Sequence, residues 1–355
     1  MEILIKAFPH NHPAKIIALA LKSRGHHVDI DMQSSFPAKQ FSSLSLSHSQ
    51  ESSFATSGKD IEINARKNYD AVIWLNREKI EICSSAAKED KDYIALESDL
   101  FLRSSNYFLG DDAFWVNPLA SYARSSLKPV QLSCAKKVGF TIPNTLISNN
   151  NTDVLHFIKQ SKKPVIAKPF STINWQENDE LFYFPTTIIT AEQVEASAEE
   201  VQLCPIIYQE CIEKRYELRV TVMGRTVIAA KINNQPDGKV DWREVSASQE
   251  LDIEKVTLPA AVHDKCLALM ESLGLVYGCL DLIVDKEGHY YFLEVNNAGQ
   301  FLWKELYGDG IPLLHIYCDF IESQDKHFLW DGQAHYLYKE MLTKQGSSVT
   351  ANTPI

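Results

Sequence analysis

The sequence predicts an α/β fold, grading into α+β. Three observations carry this: strand, helix and strand signals alternate at the start, hairpin signals crowd residues 205 to 300, and the composition supports a sizeable core. The chain has 355 residues, of which 45% are hydrophobic, 23% charged and 10% aromatic, an ordinary globular mixture.

The first element is Ile3-Leu4-Ile5, a short apolar run. A helix follows from about Pro13 to Arg24-Gly25, where glycine suits the C-terminal cap. Val28-Asp29-Ile30 then alternates like a half-exposed strand. Residues 41 to 58 are dominated by Ser and read as a mobile loop or short linker. Ala71-Val72-Ile73-Trp74-Leu75 is a buried strand candidate.

In the middle, a helix runs from Leu127 to Val138, stopped by Gly139. Strands centre on Val165-Ile166-Ala167-Lys168 and Leu181-Phe182-Tyr183-Phe184, and the polar stretch from Phe170 to Glu180 between them suggests a hairpin or flap. Glu217 to Thr221 alternates, Met223-Gly224-Arg225 turns, and Thr226 to Ile232 returns. Val262, Cys266, Leu269, Met270 and Leu273 mark one helix face that ends at Gly274. Val276 to Val284 and Tyr290 to Val295 form a last hairpin around Asp285 to Gly288. A polar stretch after 322 ends in residues 346–355, read as disordered.

Several classes are disfavoured. The net charge of −11 opposes general nucleic-acid or anionic-membrane binding, which needs a basic field. No long apolar run offers a membrane span, no signal peptide is visible, and mean hydropathy is −0.20. Seven cysteines, odd in number and without C-x-x-C, fit a reducing cytoplasm rather than a disulfide framework. Neither G-x-G-x-x-G nor G-x-x-x-x-G-K-[ST] occurs, so a Rossmann or P-loop phosphate site is unsupported.

The chemistry concentrates on the last hairpin. Glu294 and Asn296 lie two apart on one strand and share a face. A two-residue turn sets Asp281 opposite Glu294, and a four-residue turn sets it opposite Phe292; both keep the three residues on one side. Two carboxylates and an amide oxygen suit Mg²⁺ shared with phosphates, against the alternative of a solvated polar face. Lys128, opening a helix, and Lys168, ending a strand, could neutralise phosphate charge, or be solvated surface charges. Gln209-Glu210-Cys211-Ile212 could present Glu210 and backbone amides to an adenine edge. Arg219, on the face of Glu217, could reach phosphate or sit in a cross-strand ion pair.

This order of parts (two lysines, a Q-E-x-I hinge, an E-x-R strand, then D…E-x-N on a hairpin) resembles the ATP-grasp superfamily. Leu293-Glu294-Val295-Asn296, with Gly299-Gln300-Phe301-Leu302-Trp303-Lys304-Glu305, is similar to the signature of graspetide synthetases, the microviridin-type peptide-cyclising ligases. Tyr216 to Val222, Ala229 to Asn233, Asp241-Trp242-Arg243, Ile142 to Asn150, and Trp74 with Arg77 also resemble that family, whereas Asn76 stands where relatives often carry a second arginine. The resemblance implies an ATP-grasp fold with an N-terminal pre-ATP-grasp α/β domain over 1–118, a central subdomain with a peptide-gripping hairpin over 119–204, a C-terminal subdomain over 205–322 and a polar tail over 323–355.

It further implies ATP and Mg²⁺, a nucleotide site of Lys128, Lys168, Gln209, Glu210, Ile212, Glu217 and Asn233, and metal ligands Asp281, Glu294 and Asn296. Arg219, Lys231 and Arg243 would serve catalysis. The partner would be a precursor peptide with a leader, gripped by residues 171–186, and the enzyme a homodimer. ATP would convert an Asp or Glu side chain into an acyl-phosphate, which Ser, Thr or Lys then attacks to close an ester or amide ring. Residues 170–180 and Asn234 to Lys239 are lid candidates. The alternatives are a ligase that adds residues to a tail or joins small molecules, a non-catalytic ATP-binding module, and a metal-dependent hydrolase, for which the scattered histidines supply no ligand set.

Overall fold

The computed structural model describes residues 1–7, 11–31, 36–49, 53–58, 61–64, 69–75, 81–110, 112–170, 174–177, 180–183, 186–233, 252–307, 311–333, 335 and 338–344. The N-terminal part comprises β1 (Glu2–Lys6), α1 (His12–Ser23), β2 (His27–Asp31), β3 (Gln40–Ser45), β4 (Ser53–Gly58), β5 (Ile61–Asn64), β6 (Ala71–Trp74), α2 (Lys91–Ser105) and β7 (Phe114–Val116). A parallel sheet in the order β2-β1-β6-β7 forms its centre. The apolar runs of β1 and β6 are buried on both faces, as a parallel sheet requires. Asn11 caps α1 by accepting from the Ala14 N–H, and Ile16, Ile17, Ala20 and Leu21 seat the helix on the core.

The Ser-rich segment corrects the loop expectation. β3, β4 and β5 form an antiparallel sheet of their own. Its anchor is Phe54, buried in a cluster with Leu4 and Val72. Across the strands, Thr56 Oγ1 accepts from Gln40 Nε2 at 2.9 Å and meets Ser42 Oγ at 2.7 Å. Short hydroxyl side chains pair across strands as well as they make turns, so composition alone misassigned them.

The middle contains α3 (Leu119–Ser125), α4 (Lys128–Lys137), β8 (Thr145–Ser148), α5 (Asn151–Gln160), β9 (Val165–Lys168), β10 (Asn174–Glu177), β11 (Glu180–Tyr183), β12 (Thr187–Ile189), α6 (Ala191–Ala196), α7 (Ala198–Leu203) and β13 (Ile206–Glu210). An antiparallel sheet runs β12-β9-β13-β8, with Val154, Val165, Val194 and Tyr208 packed between it and the helices. β10, inside the polar stretch, pairs with β11, the second of the two expected strands, so the hairpin includes that strand rather than lying before it. The division at 204/205 places β13 with the following part, but its ladder is with β8 and β9.

The last part contains β14 (Lys214–Met223), β15 (Thr226–Ile232), β16 (Ile253–Val256), α8 (Ala260–Leu273), β17 (Tyr277–Asp285), β18 (Tyr290–Asn296), α9 (Trp303–Tyr307), α10 (Leu313–Ser323) and α11 (Tyr338–Lys344). Its antiparallel sheet runs β16-β15-β14-β17-β18. One face (Leu218, Val220, Val222, Leu280, Leu282) packs on α4 and α8; the other shares a core with the N-terminal part through Ile228, Ala230, Ile232, Cys279 and Phe301. The stretch after 322 is not a free polar tail. Tyr338 and Met341 of α11 enter that shared core, and Phe328 O accepts from the Arg225 N–H at 2.8 Å. Gly224, at φ +59, leaves no room for a side chain against Phe328. Residues 346–355 lie outside those described.

Candidate active site

The metal candidates meet through a device the turn alone does not supply. The hairpin loop is neither two nor four residues long. Asp285 N–H donates to His289 O, closing a loop of Lys286, Glu287 and Gly288, with Gly288 at φ +88. Leu282 then faces Phe292, and a regular ladder would bring Leu293 opposite Asp281. Instead the register shifts between Asp281 and Leu282, so that Asp281 faces Glu294 and Cys279 faces Asn296. Leu293 is the extra residue of a β-bulge. The bulge turns Glu294 onto the face of Asp281; without it the two carboxylates would lie on opposite sides of the sheet.

Side-chain geometry confirms the convergence. Asn296 Nδ2 lies 3.1 Å from Asp281 Oδ2 and 3.4 Å from Glu294 Oε1. A half-turn of this amide exchanges Nδ2 for Oδ1 and presents three hard oxygens to one point, a donor set that fits Mg²⁺. Arg219 Nη1 donates to both oxygens of Asp281 at 2.8 Å, and Arg219 Nη2 to Gln300 O at 3.2 Å. The cross-strand ion pair expected as the plain alternative for Arg219 thus exists, and it lies inside the candidate metal site. Burial works against the Arg219 charge, but Asp281 more than offsets it, and the guanidinium is held above its ordinary range. Lys128 Nζ reaches Glu294 Oε2 at 3.0 Å from the first turn of α4.

The nucleotide candidates divide between the two sheets. Lys168 Nζ donates to Gln209 Oε1 at 2.8 Å, and Gln209 Nε2 to Thr145 Oγ1 at 2.8 Å, which fixes the lysine on the face of the central sheet. Glu210 accepts from Asn144 Nδ2 at 3.0 Å at the end of β13, and Ile212 is buried just beyond. Glu217 lies two residues before Arg219 on the same face and accepts from Lys214 Nζ at 2.5 Å. Asn233 follows the last residue of β15, its N–H donating to Asp252 O at 3.0 Å.

Lys231 does not join this group. It pairs with Leu218, whose side chain lies in the core on the far face. Its ammonium rests 4.9 Å from the Tyr216 ring centroid and 3.4 Å from Glu254 Oε2. Strand alternation sends it away from Arg219, which corrects its assignment to catalysis. Arg243, with Asp241-Trp242, Asn76, Arg77 and the lid candidate Asn234 to Lys239, lies outside the described residues; the 171–186 grip is described only in part.

Three supporting residues were missed. Gln131 in α4, buried, accepts from the Val295 N–H at 2.9 Å and donates to Val295 O at 2.9 Å, clamping β18 between Glu294 and Asn296. Asn117 bridges Val276 N–H, Tyr277 N–H and O, and Asn297 O. Lys304, inside an apolar helix, is fully buried, and burial brings its ammonium down to about 8. The charge in Leu302-Trp303-Lys304-Glu305-Leu306 was the signal for it.

A profile of the RimK-like ATP-grasp domain matches residues 123–307, which span both sheets and, Asn117 apart, the described residues of this site. The chain belongs to the RimK-like ATP-grasp family. No curated protein matches it by sequence. Among solved structures, macrocyclase MdnC from Microcystis aeruginosa MRC, bound with precursor peptide MdnA, is 25% identical with a TM-score of 0.78, covering 91% of this chain and 100% of that chain. A Chryseobacterium gregarium RiPP-associated ATP-grasp ligase, in complex with ADP and a leader and core peptide, is 23% identical with a TM-score of 0.79, over 92% of this chain and 99% of that one. Macrocyclase MdnB from Microcystis aeruginosa MRC is 24% identical with a TM-score of 0.74, over 90% and 98%. The structural likeness thus extends through the N-terminal part, beyond the stretch the family profile matches.

Proposed function

We propose that this ATP-grasp protein is an ATP-dependent ligase that activates Asp or Glu side chains of a ribosomal precursor peptide as acyl-phosphates and closes ester or amide rings with Ser, Thr or Lys. The supporting observation is the carboxylate–amide cluster of Asp281, Glu294 and Asn296, ringed by Arg219 and Lys128, in a chain that aligns over its length with a peptide macrocyclase. A carboxylate is a poor acyl donor, because its leaving group would be oxide; ATP, as substrate, supplies the activation.

In this reading Asp281, Glu294 and Asn296 would hold Mg²⁺, which when bound would neutralise charge on the nucleotide phosphates. Lys168, from the central sheet, and Lys128, from the first turn of α4, would approach those phosphates, and Glu210 and Ile212 would receive the adenine. With Asp281 engaged as a ligand, Arg219, still tethered by Gln300 O, would be available to the transferring phosphoryl group. The chain's work is positioning and charge neutralisation. The β10–β11 hairpin grips the leader. The described cysteines are all free, in keeping with a reducing cytoplasm, and a homodimer completes the proposal.

The test incubates the protein with ATP, Mg²⁺ and an acidic peptide rich in Thr, Ser or Lys. Ring closure removes one water per ring with ADP release. A gain of residue mass would identify a residue-adding ligase, and nucleotide binding without ADP release a non-catalytic module. Sedimentation reads the oligomeric state.

A further inference from the structure

Lys304 is buried to zero exposure in the core behind the site. An ammonium has three N–H donors, and among the described residues it makes one hydrogen bond, donating to Thr221 Oγ1. Replacing such a charge by an apolar side chain of similar size often costs nothing or stabilises, so folding alone does not account for it.

Its surroundings point forward to Arg219. On the β14–β17 ladder, Arg219 faces Asp281 and Thr221 faces Cys279, two pairs stacked along one face. Lys304 joins the rear pair, and its own helix begins with the turn that holds the front one. Gln300 O accepts from both Arg219 Nη2 at 3.2 Å and Trp303 Nε1 at 3.3 Å, and Lys304 N–H donates to Phe301 O at 3.3 Å. Gly299 is pressed against the same guanidinium; a Cβ there would lie 2.9 Å from Arg219 Nη2. The Gly299–Lys304 turn is therefore the second support of Arg219, and the Lys304–Thr221 contact fastens it to the strand that carries Arg219.

We propose that Lys304 is a positioning residue for Arg219, its ammonium locking the Gly299–Lys304 turn onto β14 through Thr221 so that Arg219 stays aimed after Asp281 leaves it. The role rests on the ligase reading only for its effect on turnover. The charged and titratable groups that act on Lys304 are Arg219 on β14 and Cys279 and Asp281 on β17; Glu305, on its own helix, is engaged by the Leu314 and Tyr338 N–H groups.

The experiment compares wild type with K304M, K304R and T221V and has two arms. In the unliganded protein, nitrogen-labelled arginine spectra follow the Arg219 Nε–H signal, assigned by its loss in R219K. The signal shifts and broadens in K304M and T221V and returns toward wild type in K304R; an unchanged signal in K304M overturns the proposal without reference to catalysis. With peptide, ATP and Mg²⁺, K304M lowers kcat by about tenfold and leaves the KM for ATP within about twofold. Wild-type kcat falls as pH rises past about 8, while K304M is flat there. T221V reproduces the loss, and the double variant adds nothing further. Wild-type kcat in K304M, or kcat and KM worsening together at every pH, would refute the positioning role. A wild type that binds MgADP but releases none with peptide would refute the ligase reading and leave the spectral arm to decide this one.

Discussion

Lys304→Met should make the protein more stable at neutral pH, and the gain should fade as the pH rises. The folded-state value of Lys304 is lowered by burial from 10.5 to about 8. A cation whose folded value is depressed holds fewer protons folded than unfolded between those two values. Stability therefore rises with pH across that window. Below about 8 both states are charged and the folded state carries the full cost of burying the ammonium, about 3 kcal/mol from a drop of this size. Met removes that cost with little change of volume, and the lost Thr221 contact returns about 1 kcal/mol. The variant should thus be about 2 kcal/mol more stable at pH 7. Urea unfolding of both proteins at about pH 7, 8 and 9.5 measures this, and the difference should shrink by about 2 kcal/mol between the last two. Comparing the two proteins cancels the other groups that titrate there, including Cys266, which burial raises to about 12. A variant less stable than wild type at every pH, with a constant difference, would show that Lys304 is a stabilising contact and would refute the reasoning.

Other substitutions probe the site from different sides. Gly299→Ala places a methyl 2.9 Å from Arg219 Nη2, Asn296 Cβ and Cys279 Cβ and should cost about 1–3 kcal/mol in urea unfolding together with turnover. Gly288→Ala meets nothing within 4 Å, so only its φ of +88 resists; it should cost about 1 kcal/mol and leave MgADP affinity unchanged in calorimetry. Gln131→Leu strands the buried Val295 N–H, should cost about 1–3 kcal/mol, and should loosen Glu294 and Asn296 enough to weaken MgADP measurably. Asp281→Asn should weaken MgADP by about tenfold or more, whereas Lys231→Met, on the far face, should leave that affinity within about twofold.

The spacing of Glu294 and Asn296 fixes their common face, because alternation along a strand admits no other result. The partner strand is a different matter. Both turns considered for the hairpin have an even number of residues, and both keep Asp281 on the same side as Glu294. The actual loop is odd, and the bulge at Leu293 compensates for it. Two departures from regularity cancel, and neither announces itself in residue type. Lys231 shows the converse. It stands in a run that resembles the family well, yet its pairing with Leu218 sends it to the other face. Resemblance located the strand, and alternation decided the side. The contacts of Gln131 and Lys304 were illegible for a further reason: the charge of Lys304 stood out in its run, but each side chain acts through a backbone group or hydroxyl distant in sequence, Val295 and Thr221, and no local period encodes such a contact.

These cases bear on how the site is balanced. Asp281 and Glu294 each pair with a cation, Arg219 and Lys128, and Asn296 bridges between them. These pairings offset the repulsion between two carboxylates held close together. The same pairing sets a condition for use. If these carboxylates were to serve as metal ligands, Arg219 and Lys128 would have to give them up, and each cation would then need another anion. Nucleotide phosphates would supply that anion, so Mg²⁺ and nucleotide should each bind more tightly in the presence of the other, which calorimetry with ADP alone and with MgADP measures. The supports behind the site then acquire their meaning. Gln131 keeps β18 in place while its side chains exchange partners, and the Gln300 carbonyl keeps Arg219 from following Asp281 or swinging into solvent. A site that must trade every ion pair during one binding event needs its backbone held by groups that take no part in the trade.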